Sequence, residues 1–533
     1  GLVAAYSMLQ PKYYNNWSSY YFLANFPSDD SEVVGGGPGD RPEYHAVSNF
    51  TMLPTNTAIL ELWRRGFYGV NRANAVILNA NPEASANSKE YIAEAKFLRA
   101  YFYFELVRFF GDVPLITKQL LPSEYNQPRV DAEIVYEQII TDLQEAILDL
   151  AVDPAEQYRA TKGAGEALLG KVYLYMASPY YQQRYNFELS ATEYYQLALD
   201  QFQEVYGQYS LETNYDDIWS YEHEHGVESI FEIEYANIAR GGDWNNGRVN
   251  GGNIDVQMSG PRGISTDTLN AGWGFDMVST DLIALYDSEG DVVRKDGTAY
   301  GEAFLTSIGA SGWDQNEGYT GWFSKKRAPW ANITFTSAEW NYETNERVIR
   351  YADVLLMMAE AAIGSGTGNP DTYFNEVRQR AGLGTITGVT MADVKKEMFD
   401  EDLEAILMDE VLRIPEAYSL RTLGVMSGSR VMPTAGVRLE IDGKEVEKAA
   451  IGIGPIDATF RSIAELTGTK SKLLFFSVNS ITGGTDAQGE VMVRVEDKGR
   501  VVIGQGADPD IITAAAKAYL NALNRLIYLD KGN

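Results

Sequence analysis

The residues of this chain best suited to chemistry are aromatic rings carried on loops. Trp273, Trp313, Tyr319, Trp322 and Trp330 fall in Gly-rich stretches such as GWGF and GYTGWFSKKRAPWAN, beside Asp314, Asn316, Lys325 and Arg327. A ring of this kind offers an apolar, polarizable face that matches the C–H face of a pyranose, and polar side chains at its rim can bond the hydroxyls. The alternative for each Trp is that it plugs its own loop onto a scaffold. Near the start, Asp29, Asp30 and Arg41 flank a GGGPGD loop, where charged groups could grip hydroxyls through charge-assisted hydrogen bonds.

Other chemistries find few anchors. There is no Cys, which removes thiolate nucleophiles, thiolate metal sites and disulfides, and there are only three His. His223-Glu224-His225 would set two rings on one face of a strand, but no third metal ligand is evident. DSEGDVVRKD (Asp287–Asp296) matches a calcium loop in composition only, since its Gly is misplaced and no Glu closes it. With 74 acidic residues, pairs arise by chance, so no catalytic carboxylates can be singled out. We therefore expect no catalytic residue, no metal and no cofactor.

The 533 residues are 45% hydrophobic and 22% charged, which fits a folded chain of several domains. A net charge of −30 repels phosphate backbones and excludes nucleic acid as a partner. No apolar run approaches the roughly 18–20 residues that span a bilayer. All nine Trp precede residue 341, and the acidic excess also lies almost wholly before Met391. A Gly/Thr-rich stretch, GLGTITGVTMA, marks the seam and reads as a linker over 386–392 between domains 1–385 and 393–533.

The first part predicts amphipathic helices over Leu60–Ala80, Lys89–Phe110, Ala132–Leu150, Thr161–Ala177 and Ala191–Tyr206, packed as hairpins in a tetratricopeptide-like stack. Between Asn237 and Asn345 the pattern breaks into long loops, expected to be functional. The second part predicts strands over Val437–Ile441, Leu473–Ser480, Glu490–Val495 and Gly499–Gly504, with helices over Ile456–Thr467 and Asp510–Leu529. The fold class expected is mainly α, a helical scaffold with long loop insertions, followed by a small α+β domain with an internal duplication.

EAKFLRAYFYFELVRFFGDVPLIT (Glu94–Thr117), NRANAVI, ATKGAGEALLGKVYLYMA, STDLIALYDSEGDVVRKD, NERVIRYADVLLMMAEA and NEVRQRAGL keep their order along the first part. They resemble the SusD/RagB family of outer-membrane nutrient-binding lipoproteins. The resemblance implies a cell-surface protein, not an enzyme, that captures oligosaccharide, or alternatively peptide, and hands it to a TonB-dependent outer-membrane transporter. The family's lipidated Cys is missing, because the chain opens directly into GLVAAYSMLQ, so anchorage through an N-terminal lipid is implied rather than visible. The Arg/Glu-rich helix that usually follows the RAGL-like segment is also replaced.

What replaces it carries FDEDLEAI, MPTAGVRLEIDGK, AAIGIGPIDATFRSI, GGTDAQGEVMVRV and GQGADPDIITAAAKAYLNALNRL (Gly504–Leu526), and resembles the C-terminal regulatory domain of 2-isopropylmalate synthase. That resemblance implies a dimerising module that binds leucine near Thr485, Ala487, Gly504, Asp508 and Asp510, whose glycines and helix N-termini suit a carboxylate. Those glycines could equally serve tight strand-to-helix turns. The pairing of an exported with a cytoplasmic family points to an artificial or rearranged join.

Overall fold

The computed structural model describes all residues except 11–18, 54, 86, 237–251, 265, 332–341, 398–416, 429–430, 442, 481–488, 498–499, 509 and 532–533. It divides into two compact units, one made of Gly1–Ser48 and Asn56–Asp409, the other of Asn49–Thr55 and Glu410–Asn533.

The first unit is built on long helices. Thr57–Asn79 packs on Ser88–Phe110, which packs on Ala132–Asp149; Lys162–Ala177 packs on Ala191–Val205, which in turn meets Tyr351–Ser365 and its hairpin partner Pro370–Arg380. Starts are fixed by side-chain caps. Asn56 accepts from Ala58 and Ile59, Thr161 from Ala164, and Ser190 forms a capping box with Glu193. Ser88–Phe110 is buried nearly all round its second half, as befits a central helix. Its Arg99 makes a bidentate pair with Asp142 (2.7 and 2.6 Å) and donates to Asn74 at 2.7 Å, which ties three helices together inside the core.

The stretch read as long loops contains more structure than its composition suggests. Ser31–Val33, Asp276–Val278, Trp322–Ser324 and Ala299–Gly301 form a four-stranded antiparallel sheet in that order, and short helices span Ile254–Ser259, Thr280–Glu289, Val292–Thr298 and Glu302–Ser307. Three-residue strands are too short to show alternation, and so leave no periodic trace in the sequence. DSEGDVVRKD joins two of the helices: Gly290 ends the first at φ +68°, and Asp291 caps the second while pairing with Arg294. Ser229–Ile233 and Glu346–Arg350 pair separately, on either side of the inserted segment.

Residues 386–392 fold onto the last hairpin of the first unit. The amides of Gly388 and Val389 donate to the Asp371 carboxylate at 2.9 and 2.8 Å, and Ile386 exchanges two bonds with the Asn375 side chain. A short helix, Met391–Glu397, follows, and its Lys396 meets Glu289 at 2.6 Å.

In the second unit, three antiparallel strands and a helix occur twice. Tyr418–Gly428, Val431–Ile441 and Lys444–Ile451 precede Pro455–Thr467; Lys472–Ser480, Gly489–Asp497 and Arg500–Asp508 precede Ile511–Lys531. Two strands absent from the sequence reading, Tyr418–Gly428 and Lys444–Ile451, are largely exposed and so lack the alternation that flags a half-buried strand. The core joins Val437, Leu439, Val491 and Val493 to an alanine-lined helix face, and Phe460 stacks on Tyr519 at 4.6 Å. Gly504 and Gly506 face that helix so closely that a Cβ would fall 2.1 Å from the Ala518 carbonyl oxygen and 2.3 Å from that of Ala514.

Candidate functional site

The four-stranded sheet positions the loops that carry the aromatic residues. Segment 311–321 lies beside the Gly-rich segment 34–41. Asn316 donates to the carbonyl of Gly35 at 2.8 Å, and Gly35 donates its own amide to Gly274 at 2.7 Å. Gly35 is in the left-handed region (φ +53°) with Phe275 against it, where a Cβ would fall 2.3 Å from the ring, so only glycine fits.

Arg262 locks the arrangement. Its Nη1 lies 3.0 Å from Asp40 and its Nε 3.4 Å from Asp314, while its backbone carbonyl accepts the Asp314 amide at 3.0 Å. The same guanidinium approaches the Trp273 carbonyl at 3.4 Å. Trp273 is half-buried, and its backbone N–H donates to the Gln257 carbonyl at 2.8 Å.

A second chain of bonds orders the aromatic pair. Trp313 donates its indole N–H to the Tyr319 hydroxyl at 2.7 Å, and that hydroxyl donates to Glu302 at 2.7 Å. Burial and then Glu302 push the Tyr319 hydroxyl up to about 12, so it stays a donor at all ordinary pH. Trp322, at the start of its strand opposite Gly301, covers that glycine with its ring and carries the Lys295 ammonium 5.3 Å from the ring centroid.

The remaining expected residues lie elsewhere. Trp330 packs into the core, 6.2 and 6.1 Å from the rings of Tyr300 and Phe304. Arg41 turns toward its own helix, pairing with Glu43 at 3.1 Å and lying 4.6 Å over the Tyr44 ring. Asp30 is half-buried and its carbonyl accepts from Ser279. Lys325 is engaged by Asp216, and Arg327 is buried on the Tyr21 ring beside Glu346. Asp40, Arg262 and Glu302 organise the site without having been singled out. Asp40 sits in the GGGPGD loop, so only its neighbour drew attention, and nothing in sequence links Arg262 to either carboxylate.

The HxH pair does not share a strand face. His223 closes a short turn near Asp217, whereas His225 adopts φ +54° and bonds Glu234 at 2.9 Å. Glu212, Asp217 and His223 bring one ligand-type atom each within 4.8 Å of one another, the group among the described residues that could contribute to holding a metal.

In the second unit, Thr485 and Ala487 lie outside the described residues. Gly504 lies within a strand, packed on the alanine helix face. Asp510 caps that helix through Ile512 and Thr513, and Asp508 pairs with Lys517 at 2.8 Å, which holds its carboxyl below the usual range.

Comparison with known proteins follows these geometries. Residues 43–174 match a family model described as starch-binding associating with outer membrane, and 295–412 match the SusD family model. Among solved structures, a laminarin-binding SusD-like protein is 32% identical at a TM-score of 0.65, covering 76% of this chain and 87% of its own. The chain belongs to the SusD family. Surface glycan-binding protein A from Bacteroides thetaiotaomicron, in complex with laminarihexaose, is 26% identical at a TM-score of 0.66, covering 78% of this chain and 89% of its own. These matches agree with the mainly helical SusD-like scaffold expected from the sequence.

Residues 397–527 match the LeuA allosteric (dimerisation) domain. The 2-isopropylmalate synthases of Syntrophus aciditrophicus and Nitratidesulfovibrio vulgaris are 52% and 50% identical over 141 and 137 residues, each match covering 26% of this SusD-family chain and 27% of the relative. The chain thus spans about a quarter of the length of these curated relatives. No helix among the described residues is long and apolar enough to cross a membrane.

Proposed function

We propose that the first unit captures an oligosaccharide at the cell surface, without catalysis, for uptake through a TonB-dependent outer-membrane transporter, with a lipid anchor as the means of attachment. The observation that carries this reading is the grouping of Trp273, Trp313 and Tyr319 on loops joined by the Asp40–Arg262–Asp314 bridge, with Trp322 on the sheet strand that follows, on a scaffold 32% identical to a laminarin-binding protein. Rings set by hydrogen bonds offer stacking faces, and the flanking amides and carboxylates meet hydroxyls. A laminarin-type glucan is accordingly the ligand class we favour, with peptide the alternative. Asp30 and Arg41 belong to this reading as supports of the early loop, and Trp330 as a prop of the sheet.

A second reading concerns residues 393–533, taken with 386–392 as the join to residues 1–385. The match to the LeuA domain supports leucine binding and homodimerisation by this part, near Thr485, Ala487, Gly504, Asp508 and Asp510, within an artificial or rearranged fusion. It resembles part of a cytoplasmic enzyme, and we assign it no turnover.

Titration of the whole chain with laminarihexaose, xylogluco-oligosaccharide, a peptide mixture and leucine, followed by Trp emission and calorimetry, separates the readings. Saturable quenching by a glucan supports capture. Heat from leucine alone, with a flat response to every glycan, overturns it.

A further inference from the structure

Arg65 stands apart from the other buried arginines of the first unit. Arg99 meets Asp142, Arg327 meets Glu346, and Arg350 meets Glu228. Arg65, on the helix Thr57–Asn79, is only 1% exposed, yet none of its three guanidinium nitrogens has a hydrogen-bond partner among the described residues. A buried cation left without an acceptor is strongly unfavourable. The ring of Tyr20 lies 4.6 Å from the guanidinium carbon and offers a π face, but it accepts none of the five N–H bonds in plane.

The guanidinium lines a cavity of about 180 Å³ together with Tyr20, Tyr235, Asp255, Arg327 and Glu346. Other buried wall atoms also lack a partner among the described residues, among them the Tyr20 hydroxyl and Oδ1 of Asp255, both within electrostatic reach of Arg65, and Oε2 of Glu105, whose other oxygen pairs with Arg108. Burial, followed by the repulsion of Glu346, pushes the Asp255 carboxyl up to about 7, so near neutral pH it carries a proton for much of the time. Glu346 is engaged by Arg327, and the neighbouring Asp276 accepts from Tyr21, Asn25 and Ser31. Arg65, Tyr20 and protonated Asp255 thus offer donors to this space: guanidinium N–H, phenolic O–H and carboxylic O–H. Water could fill the space, but it brings no charge to offset Arg65.

The geometry points to a binding site for a small monovalent anion, chloride or a free carboxylate, held in this cavity by Arg65 with Tyr20 and Asp255 as further donors. This site is separate from the aromatic cluster proposed for glycan. A cation is disfavoured because Arg65 has no ion-pair partner of its own among the described residues.

The whole chain, dialysed into halide-free gluconate buffer, is titrated at constant ionic strength with sodium chloride, sodium bromide or sodium acetate while thermal unfolding of the first unit is followed by Trp emission. A saturable rise in Tm with halide, with acetate, or with both identifies the ligand, and Arg65→Met should abolish it. Crystals soaked in bromide should show anomalous density beside the Arg65 guanidinium, a readout that stands even if the variant does not fold. A Tm that ignores all three salts, with no bromide density in the cavity, overturns the proposal and leaves the cavity to water.

Discussion

Arg262 reaches Asp40 across 222 positions of sequence, with Nη1 3.0 Å from the carboxylate. Two loops that share no local signal are thereby held in one place, and Asp314 on a third segment completes the bridge. Both ion pairs are about one-third exposed or more, so their contribution to stability is small, under about 1 kcal/mol. Their work is geometric.

Arg262→Ala should therefore weaken glycan binding while leaving folding nearly intact. We expect a loss of about tenfold in affinity, the order of a single well-placed polar group, with a change in Tm within about 2 °C. Calorimetric titration beside a melting curve checks both; a large fall in Tm with unaltered affinity would reverse the assignment.

Trp322→Ala and Trp330→Ala should separate binding from packing. Truncating Trp322, half-buried beneath Lys295, should cost about 2 kcal/mol in glucan affinity, near thirtyfold. Truncating Trp330, packed on Tyr300 and Phe304, should cost about 3 kcal/mol or more in stability. Paired unfolding and binding isotherms on the two variants decide it.

Asp142→Ala strips a buried guanidinium of its bidentate partner. The expected loss is about 3–5 kcal/mol. Denaturant unfolding followed by Trp emission reports it, because all nine Trp lie in the first unit.

Acidity should matter in an unusual direction. Asp255 binds its proton more tightly folded than unfolded, since its carboxyl sits at about 7 rather than near 3.8. The folded state thus holds more protons between those values, and stability falls as pH rises through that window, levelling off above it. Glu360, buried, and Glu224, partly buried beside Glu232 and Glu234, are also pushed up to about 7 and act in the same sense. Melting curves from pH 5 to 8 should show Tm declining, with a shallower decline in Asp255→Asn; parallel slopes for the two proteins would remove Asp255 from the account.

In the second unit, Gly504→Ala should destabilise by about 1–3 kcal/mol, because the added carbon meets the Ala518 carbonyl oxygen. Trp emission is silent there, so near-ultraviolet circular dichroism from Tyr519 and its stack with Phe460 is the appropriate probe.

The long helices were readable because apolar residues recur through four or five turns and the caps at Thr161 and Ser190 punctuate them. The repeated strand-and-helix plan of the second unit was readable wherever strands were buried, as at Val431–Ile441, and not where they were wet, as at Lys444–Ile451. The loop tryptophans were visible by residue type alone. What their surroundings do was not: Trp322 and Trp330 share a composition but differ in burial partners, and the pairing of Arg262 with Asp40 is a product of tertiary contact with no local trace.

Gly504 and Gly506 leave the last helix and its sheet separated by backbone alone. Such a contact sets a floor on how close the two layers come, and it leaves no size other than glycine on one side and little beyond alanine on the other. Substitution in this unit is tolerated best on its wet strands and rim, where the exposed Arg438, Glu445 and Glu447 can be exchanged without moving a layer. The most replaceable surface of the unit is thus its charge pattern, and the least replaceable is a row of its smallest residues.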